Sequence, residues 1–226
     1  RRNAFLNCFG GDKSYMFRSL RNLVFAGVLP IDAIRCGYNY GISFGLLGVE
    51  SYAFRDADRF IEKTGGFARD LCGYGTVLYD YYRLDSIQNY KITLDGKDLD
   101  GGYVSLYVAN GPCYGYKMST IRDASPDDGL LDLYLIRHVP RLQLLRMAYD
   151  FIRGSYEKWG AYISHFTGRS LSVSSGEIMC VCIDGEIFYD NSIDFEIMPY
   201  AVDFVCPDGA ELSVSGCDHA AGKAAG

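Results

Sequence analysis

The sequence predicts a mainly β fold of the α+β class: an antiparallel β-sandwich or barrel-like pair of sheets with two or three helices covering an edge. Two observations carry that expectation. Apolar runs of strand length recur from residue 30 to residue 206, divided by Gly, Asp and Pro turns, while only three stretches show helical periodicity. Nineteen tyrosines and thirteen phenylalanines add side chains that suit a half-buried pleated surface. A chain of 226 residues with 49% hydrophobic content can bury a sizeable core, as one large domain or as one domain with part of a second.

The first helical pattern runs from Tyr15 to Phe25, with apolar residues at 16, 17, 20, 23 and 24 on one face. Gly10-Gly11-Asp12 reads as the turn before it, with Asp12 or Ser14 as cap, and Gly27 ends it. Pro30 to Arg35 is extended, and Tyr38 to Gly45 follows as a second strand-like run. Gly41, Gly45 and Gly48 there imply bends or close approach of another backbone or a ligand. Asp32, isolated at a strand start, reads as a solvated or capping group ahead of a site residue. Thr76 to Leu84 is the second helical pattern, with the aromatic cluster Tyr79, Tyr81 and Tyr82. Tyr90 to Leu94 alternates as a short strand and turns through Asp95-Gly96, a hairpin signal. Pro140 to Gly154 is an amphipathic helix with apolar residues at 142, 144, 145, 148, 151 and 152. Leu171–Val173, Ile178–Ile183, Ile187–Tyr189, Asp194–Ile197 and Val202–Cys206 read as successive short strands. From Ser215 onward the chain is small and polar, which predicts a disordered tail.

Composition excludes some classes of partner. A net charge of −6 argues against a nucleic-acid surface and gives no broad basic patch for anionic lipids. No apolar run approaches the roughly 20 residues that span a bilayer, and the N-terminus has no signal-peptide pattern, so the chain reads as soluble and cytoplasmic. The eight cysteines show no CxxC pair. Cys180 and Cys182 share one face of a predicted strand, where buried free thiols are the expectation ahead of a metal pair. His138, His165 and His219 lie far apart without metal-ligand spacing and read as ordinary side chains.

The stretch from Asn110 to Ile136 holds the chemistry. Strand-like runs flank it, Tyr103 to Ala109 and Leu130 to Ile136, and Ser125-Pro126-Asp127-Asp128-Gly129 at its centre is a strong turn signal. Such an acidic turn offers a carboxylate and carbonyl oxygens, the ligands of a hard cation. A plain hairpin turn with solvated aspartates is the other reading.

Asn110-Gly111, Gly115, Met118, Ala124 and Asp128-Gly129-Leu130-Leu131-Asp132 together resemble the NG…GGGM…A…DGxLD signature of the diacylglycerol kinase-like lipid kinases. Ile183-Asp184-Gly185-Glu186 is similar to that family's DGE strand, and Ile197 to Pro207 to its closing strand. The resemblance covers roughly residues 3 to 212. It implies a C-terminal β-sandwich over residues 29–214, preceded at 1–28 by a remnant of an α/β nucleotide domain and followed by the tail at 215–226. It implies ATP and Mg²⁺ as cofactors and diacylglycerol as acceptor, with a sphingoid base or ceramide as alternatives. Glu186 would be the general base and Asp184 would orient nearby groups, while Ser125, Asp128 and Leu130 would hold a structural Mg²⁺. Asn3 resembles the end of the family's nucleotide-contacting GTGND segment, with Ala4 where the family has Asp. The GGDGT phosphate loop is absent, so this chain alone is expected to bind ATP poorly and phosphorylate nothing. A non-catalytic lipid-binding module is the rival function. Reversible association with a membrane surface is implied in either case.

Overall fold

A computed structural model describes residues 5–9, 15–52, 55, 87–112, 121, 124–152, 155–210 and 212. Among the described residues, eleven strands form one antiparallel sheet system: β1 (Gly27–Cys36), β2 (Asn39–Gly41), β3 (Phe44–Gly48), β4 (Gln88–Leu94), β5 (Lys97–Asp98), β6 (Gly101–Tyr103), β7 (Ser105–Ala109), β8 (Leu131–Ile136), β9 (Ile163–Gly168), β10 (Ser170–Ile183) and β11 (Glu186–Cys206). Their order is β2-β1-β11-β10-β3-β7-β8-β9, with β4 branching from β10 and carrying β5 and β6.

The branch produces the sandwich. Along one edge of β10, residues Leu171 to Ser175 pair with β4, whereas Val181 to Ile183 pair with β3. A register shift between Ser174 and Met179 separates the halves, so one strand serves two layers. Leu131, Leu133 and Leu135 of β8 face the core between the layers, alongside Leu106 and Val108 of β7 and Leu171 and Val173 of β10. The alternate residues Tyr134 and Ile136 of β8, with Tyr107 and Ala109 of β7, face a second core. That second core is covered by helix α2 (Arg141–Ile152) through Leu144 and Met147, and by the short 3-10 turn Tyr156–Trp159. Strands buried on both faces lose the polar alternation of a solvated sheet, as the unbroken burial of β7 and β8 shows.

A third cluster ties the N-terminal region to the sheet. Phe5 and Phe9 pack on Phe204 of β11, with ring centroids 5.0 and 5.3 Å apart, and Phe17 joins them. The helix expected over Tyr15 to Phe25 is broken in two: a 3-10 turn at Met16–Arg18 and α1 (Leu20–Val24). Ser19 is extended between them, and its hydroxyl accepts from the Asn22 N–H at 3.4 Å, a capping bond that restarts the helix. The Asp95-Gly96 hairpin forms as expected, with both residues at positive φ. The five short strands expected after residue 170 join into β10 and β11, because register irregularities bend the chain without ending the ladder. The helix expected at 76–84, the loop at 115–118, Asn3 and the tail from 215 lie outside the described residues. Among the described residues no helix is long and apolar enough to cross a membrane.

Candidate functional site

Asp184 and Gly185 form the two-residue turn between β10 and β11, with Ile183 paired to Glu186. Both turn residues have positive φ, 47° and 97°, a conformation Asp tolerates and Gly favours. The Asp184 carboxylate accepts the backbone N–H groups of Ile42 (2.6 Å), Ser43 (3.1 Å) and Phe44 (2.9 Å), while its own N–H donates to the Phe44 carbonyl at 3.0 Å. Three successive N–H groups converging on one anion make a nest. Lost hydration raises the carboxyl's pKa above the ordinary value, and the three N–H bonds oppose that rise. Gly41 is required beside this turn, since a Cβ there would meet Ile183 Cγ1 at 2.7 Å and Asp184 Cγ at 3.1 Å. Glu186 begins β11, exposed, and its carboxylate makes no hydrogen bond or ion pair among the described residues. The neighbouring Ile187 packs against the α2-covered core, which fixes the strand that presents Glu186.

The acidic turn is built differently. Ser125 Oγ donates to Asp127 at 2.5 Å, the Asp128 carboxylate accepts the Leu130 N–H at 2.9 Å, and Gly129 takes φ 70°. Burial raises the Asp128 pKa to about 6, the Leu130 N–H lowers it, and the negative charges of Asp132, Asp32 and Asp127 raise it further. A local excess of negative charge on oxygen is the environment in which a hard divalent cation binds. Among the described residues no three His, Cys, Asp or Glu side chains converge as a ligand set, so a cation here would rest on Asp128 together with main-chain oxygens.

Asp32 corrects the expectation of a solvated or capping group. It is fully buried within β1. Its carboxylate accepts the N–H of Gly129 at 2.7 Å through one oxygen and that of Tyr200 at 2.8 Å through the other, and its own N–H donates to the Pro126 carbonyl at 2.7 Å. The β1–β11 register shifts between Ile31 and Ala33, opening the ladder where Pro199 and Tyr200 pass Asp32. Tyr200 lies there at φ 53°, left-handed geometry held by the bond to Asp32. The sequence signal was a charged residue inside the apolar run Leu29–Ile34.

Asn110, also fully buried, joins the two halves. Its side-chain amide donates to the carbonyls of Asp32 and Ile42, each at 3.0 Å, and its backbone N–H donates to Ser43 at 2.9 Å. A continuous hydrogen-bonded path therefore runs from Asp184 through residues 42–44 and Asn110 to Asp32, Gly129 and the acidic turn. His165 is likewise more than an ordinary side chain. Its Nε2 lies 2.6 Å from the buried Asp132 carboxylate, and its ring stacks on Tyr134 at 4.3 Å. Cys180 and Cys182 are buried in β10, as expected.

Residues 69–206 match the family model of the YegS C-terminal NAD kinase beta sandwich-like domain. A Staphylococcus aureus (strain JH9) protein named "Putative lipid kinase" is 30% identical over 184 residues, 80% of this chain and 58% of that protein. A Staphylococcus haemolyticus protein of the same kind is 30% identical over 132 residues, 54% of this chain and 40% of that one. The chain thus spans about half the length of these curated relatives. A crystal structure titled as a putative diacylglycerol kinase from Bacillus anthracis shares the fold, with a TM-score of 0.70 over 92% of this chain and 68% of that one at 19% identity.

Proposed function

The chain belongs to the YegS C-terminal β-sandwich-like family, and from that premise we propose that it is the acceptor-side part of an ATP-dependent lipid kinase that transfers the γ-phosphate to the hydroxyl of diacylglycerol. The observation that carries the reading is the hydrogen-bonded path from Asp184 to the acidic turn, which links the turn presenting the exposed Glu186 carboxylate to the candidate cation loop. Phosphoryl transfer needs a base for the attacking hydroxyl held in place before reaction, and in this reading the cation at the acidic turn is structural and steadies that placement.

In this reading Glu186 accepts the proton from the lipid hydroxyl as that oxygen attacks phosphorus. Asp184 holds the 42–44 corner against the turn and so keeps Glu186 in position. Asp128, with the carbonyls of Ser125 and Leu130, would hold Mg²⁺, which when bound offsets the carboxylate charge and steadies the loop. Asn3 and the segment before it would meet the nucleotide. The acceptor is diacylglycerol ahead of a sphingoid base or ceramide, the protein is cytoplasmic, and it meets the membrane peripherally.

The test is a radiolabelled-ATP assay over a panel of lipid alcohols, comparing this chain with the same chain carrying its natural upstream segment. Label in phosphatidic acid only with the longer protein is the expected result, and label in another lipid would reassign the acceptor. No label in any lipid would leave the non-catalytic lipid-binding module as the function.

A further inference from the structure

We propose that α2 docks the protein on an anionic lipid surface through an outward apolar stripe of Leu142, Leu145 and Tyr149. The core face of this helix is Leu144 and Met147, both buried. Leu142, Leu145 and Tyr149 are 100%, 67% and 56% exposed. At about 100° per residue the three lie within about 60° of one another and point away from Leu144 and Met147. The helix therefore carries apolar side chains on two opposite faces, and its core contacts through Leu144 and Met147 lie on one of them.

Charge selects the occupant. Residues 137–158 contain five Arg or Lys against two acidic residues, in a chain whose net charge is −6. One of those acids, Asp150, already accepts the Trp159 indole N–H at 3.1 Å. Arg146 is exposed beside the stripe and makes no ion pair among the described residues. Leucines flanked by arginine, with a tyrosine whose ring and hydroxyl suit the boundary between acyl chains and headgroups, are the composition of an interfacial helix. A second copy of this chain would bring like charges together across a two-fold axis, which disfavours it as the occupant. The surface is placed usefully for the proposed activity, on which this inference rests for its purpose: α2 covers the same core as Phe44 and Ile187, the neighbours of the Asp184–Glu186 turn.

The test is co-sedimentation of the 226-residue chain with phosphatidylcholine vesicles, with and without phosphatidylglycerol, at low and moderate salt. Binding is expected only with phosphatidylglycerol and should weaken with salt. Leu142→Asp and Leu145→Asp should each reduce affinity by roughly tenfold or more, and Arg146→Glu by a smaller factor. Thermal midpoints should stay unchanged, since these side chains are exposed. Wild-type protein that fails to sediment with the anionic vesicles, or Asp variants that bind as the wild type does, would overturn the proposal. So would a concentration-dependent dimer in light scattering that the Asp variants abolish, because the occupant would then be a second copy. Vesicle binding by a longer protein that transfers no phosphate would leave the docking surface standing and remove the kinase reading alone.

Discussion

Two hairpins of this molecule share one turn chemistry and differ in the side chain that leads the outgoing strand. Leu94-Asp95-Gly96-Lys97 and Ile183-Asp184-Gly185-Glu186 are both two-residue Asp-Gly turns, with φ of 48° and 80° in the first and 47° and 97° in the second. In each, the Asp carboxylate turns back to backbone N–H groups of a neighbouring segment: Arg169 and Ser170 for Asp95, Ile42 to Phe44 for Asp184. The Asp of such a turn is thus a fastening device in both places. The residue after the Gly differs. Lys97 lies over the Phe166 ring at 4.8 Å, whereas Glu186 is exposed and unpaired among the described residues. The comparison separates a residue that holds the turn from a residue that the turn presents.

The sharpest break in the comparison is chemical. In the longer protein, Glu186→Gln should lower phosphoryl transfer by roughly 10²- to 10⁴-fold, the usual contribution of a general base, while the unfolding midpoint barely moves. Lys97→Met should leave transfer unchanged. Transfer by the Glu186→Gln protein at the wild-type rate would show that Glu186 is only a strand-leading surface carboxylate.

Stability should sort the two aspartates the other way. Asp184→Ala removes the acceptor for three N–H groups and is expected to cost about 2–3 kcal/mol. Asp95→Ala removes the acceptor for two and should cost about 1–2 kcal/mol. Urea denaturation of the two variants compares them directly, and an Asp95 cost equal to or above that of Asp184 would mean that the 42–44 nest contributes little.

Asp32 extends the same logic to the acidic turn. Asp32→Asn keeps size but puts an amide NH₂ where one carboxylate oxygen accepted an N–H, leaving the Gly129 or Tyr200 donor facing another donor. A loss of about 2 kcal/mol is expected from an unsatisfied buried group. Amide exchange at Gly129 should quicken with it, and unchanged exchange there would refute the link between Asp32 and the loop.

How much could be read from the sequence depends on how local each feature is. Asp95-Gly96 and Asp184-Gly185 were legible because a tight turn is set by its own two residues. Asp32 was not, since its carboxylate partners lie 97 and 168 residues away in sequence. His165 and Asp132 meet only because β8 and β9 pair in one particular register. Helix α2 was legible as a helix, but counting apolar positions merged Leu142 and Leu145 with the residues that pack. Only the tertiary partner of Leu144 and Met147 divides the two faces. The DGE and acidic-turn motifs each stood out in the sequence, whereas the buried Asn110 that joins them depends on strands brought together by the fold.

The smallest expected effect tests whether the two turns are mechanically equivalent. A Cβ added at Gly96 or at Gly185 meets no atom within 4 Å, so the substitution to Ala adds no clash in either hairpin. Its cost is then the conformational penalty of a non-glycine residue at positive φ, about 1 kcal/mol in each case. Equal shifts in the urea midpoint are expected for Gly96→Ala and Gly185→Ala. In the longer protein only Gly185→Ala should also slow transfer, because it alters the turn that sets the start of β11. A clearly larger stability loss at Gly185 would place an additional contact on that turn, and the two hairpins would no longer differ only in the residue they present.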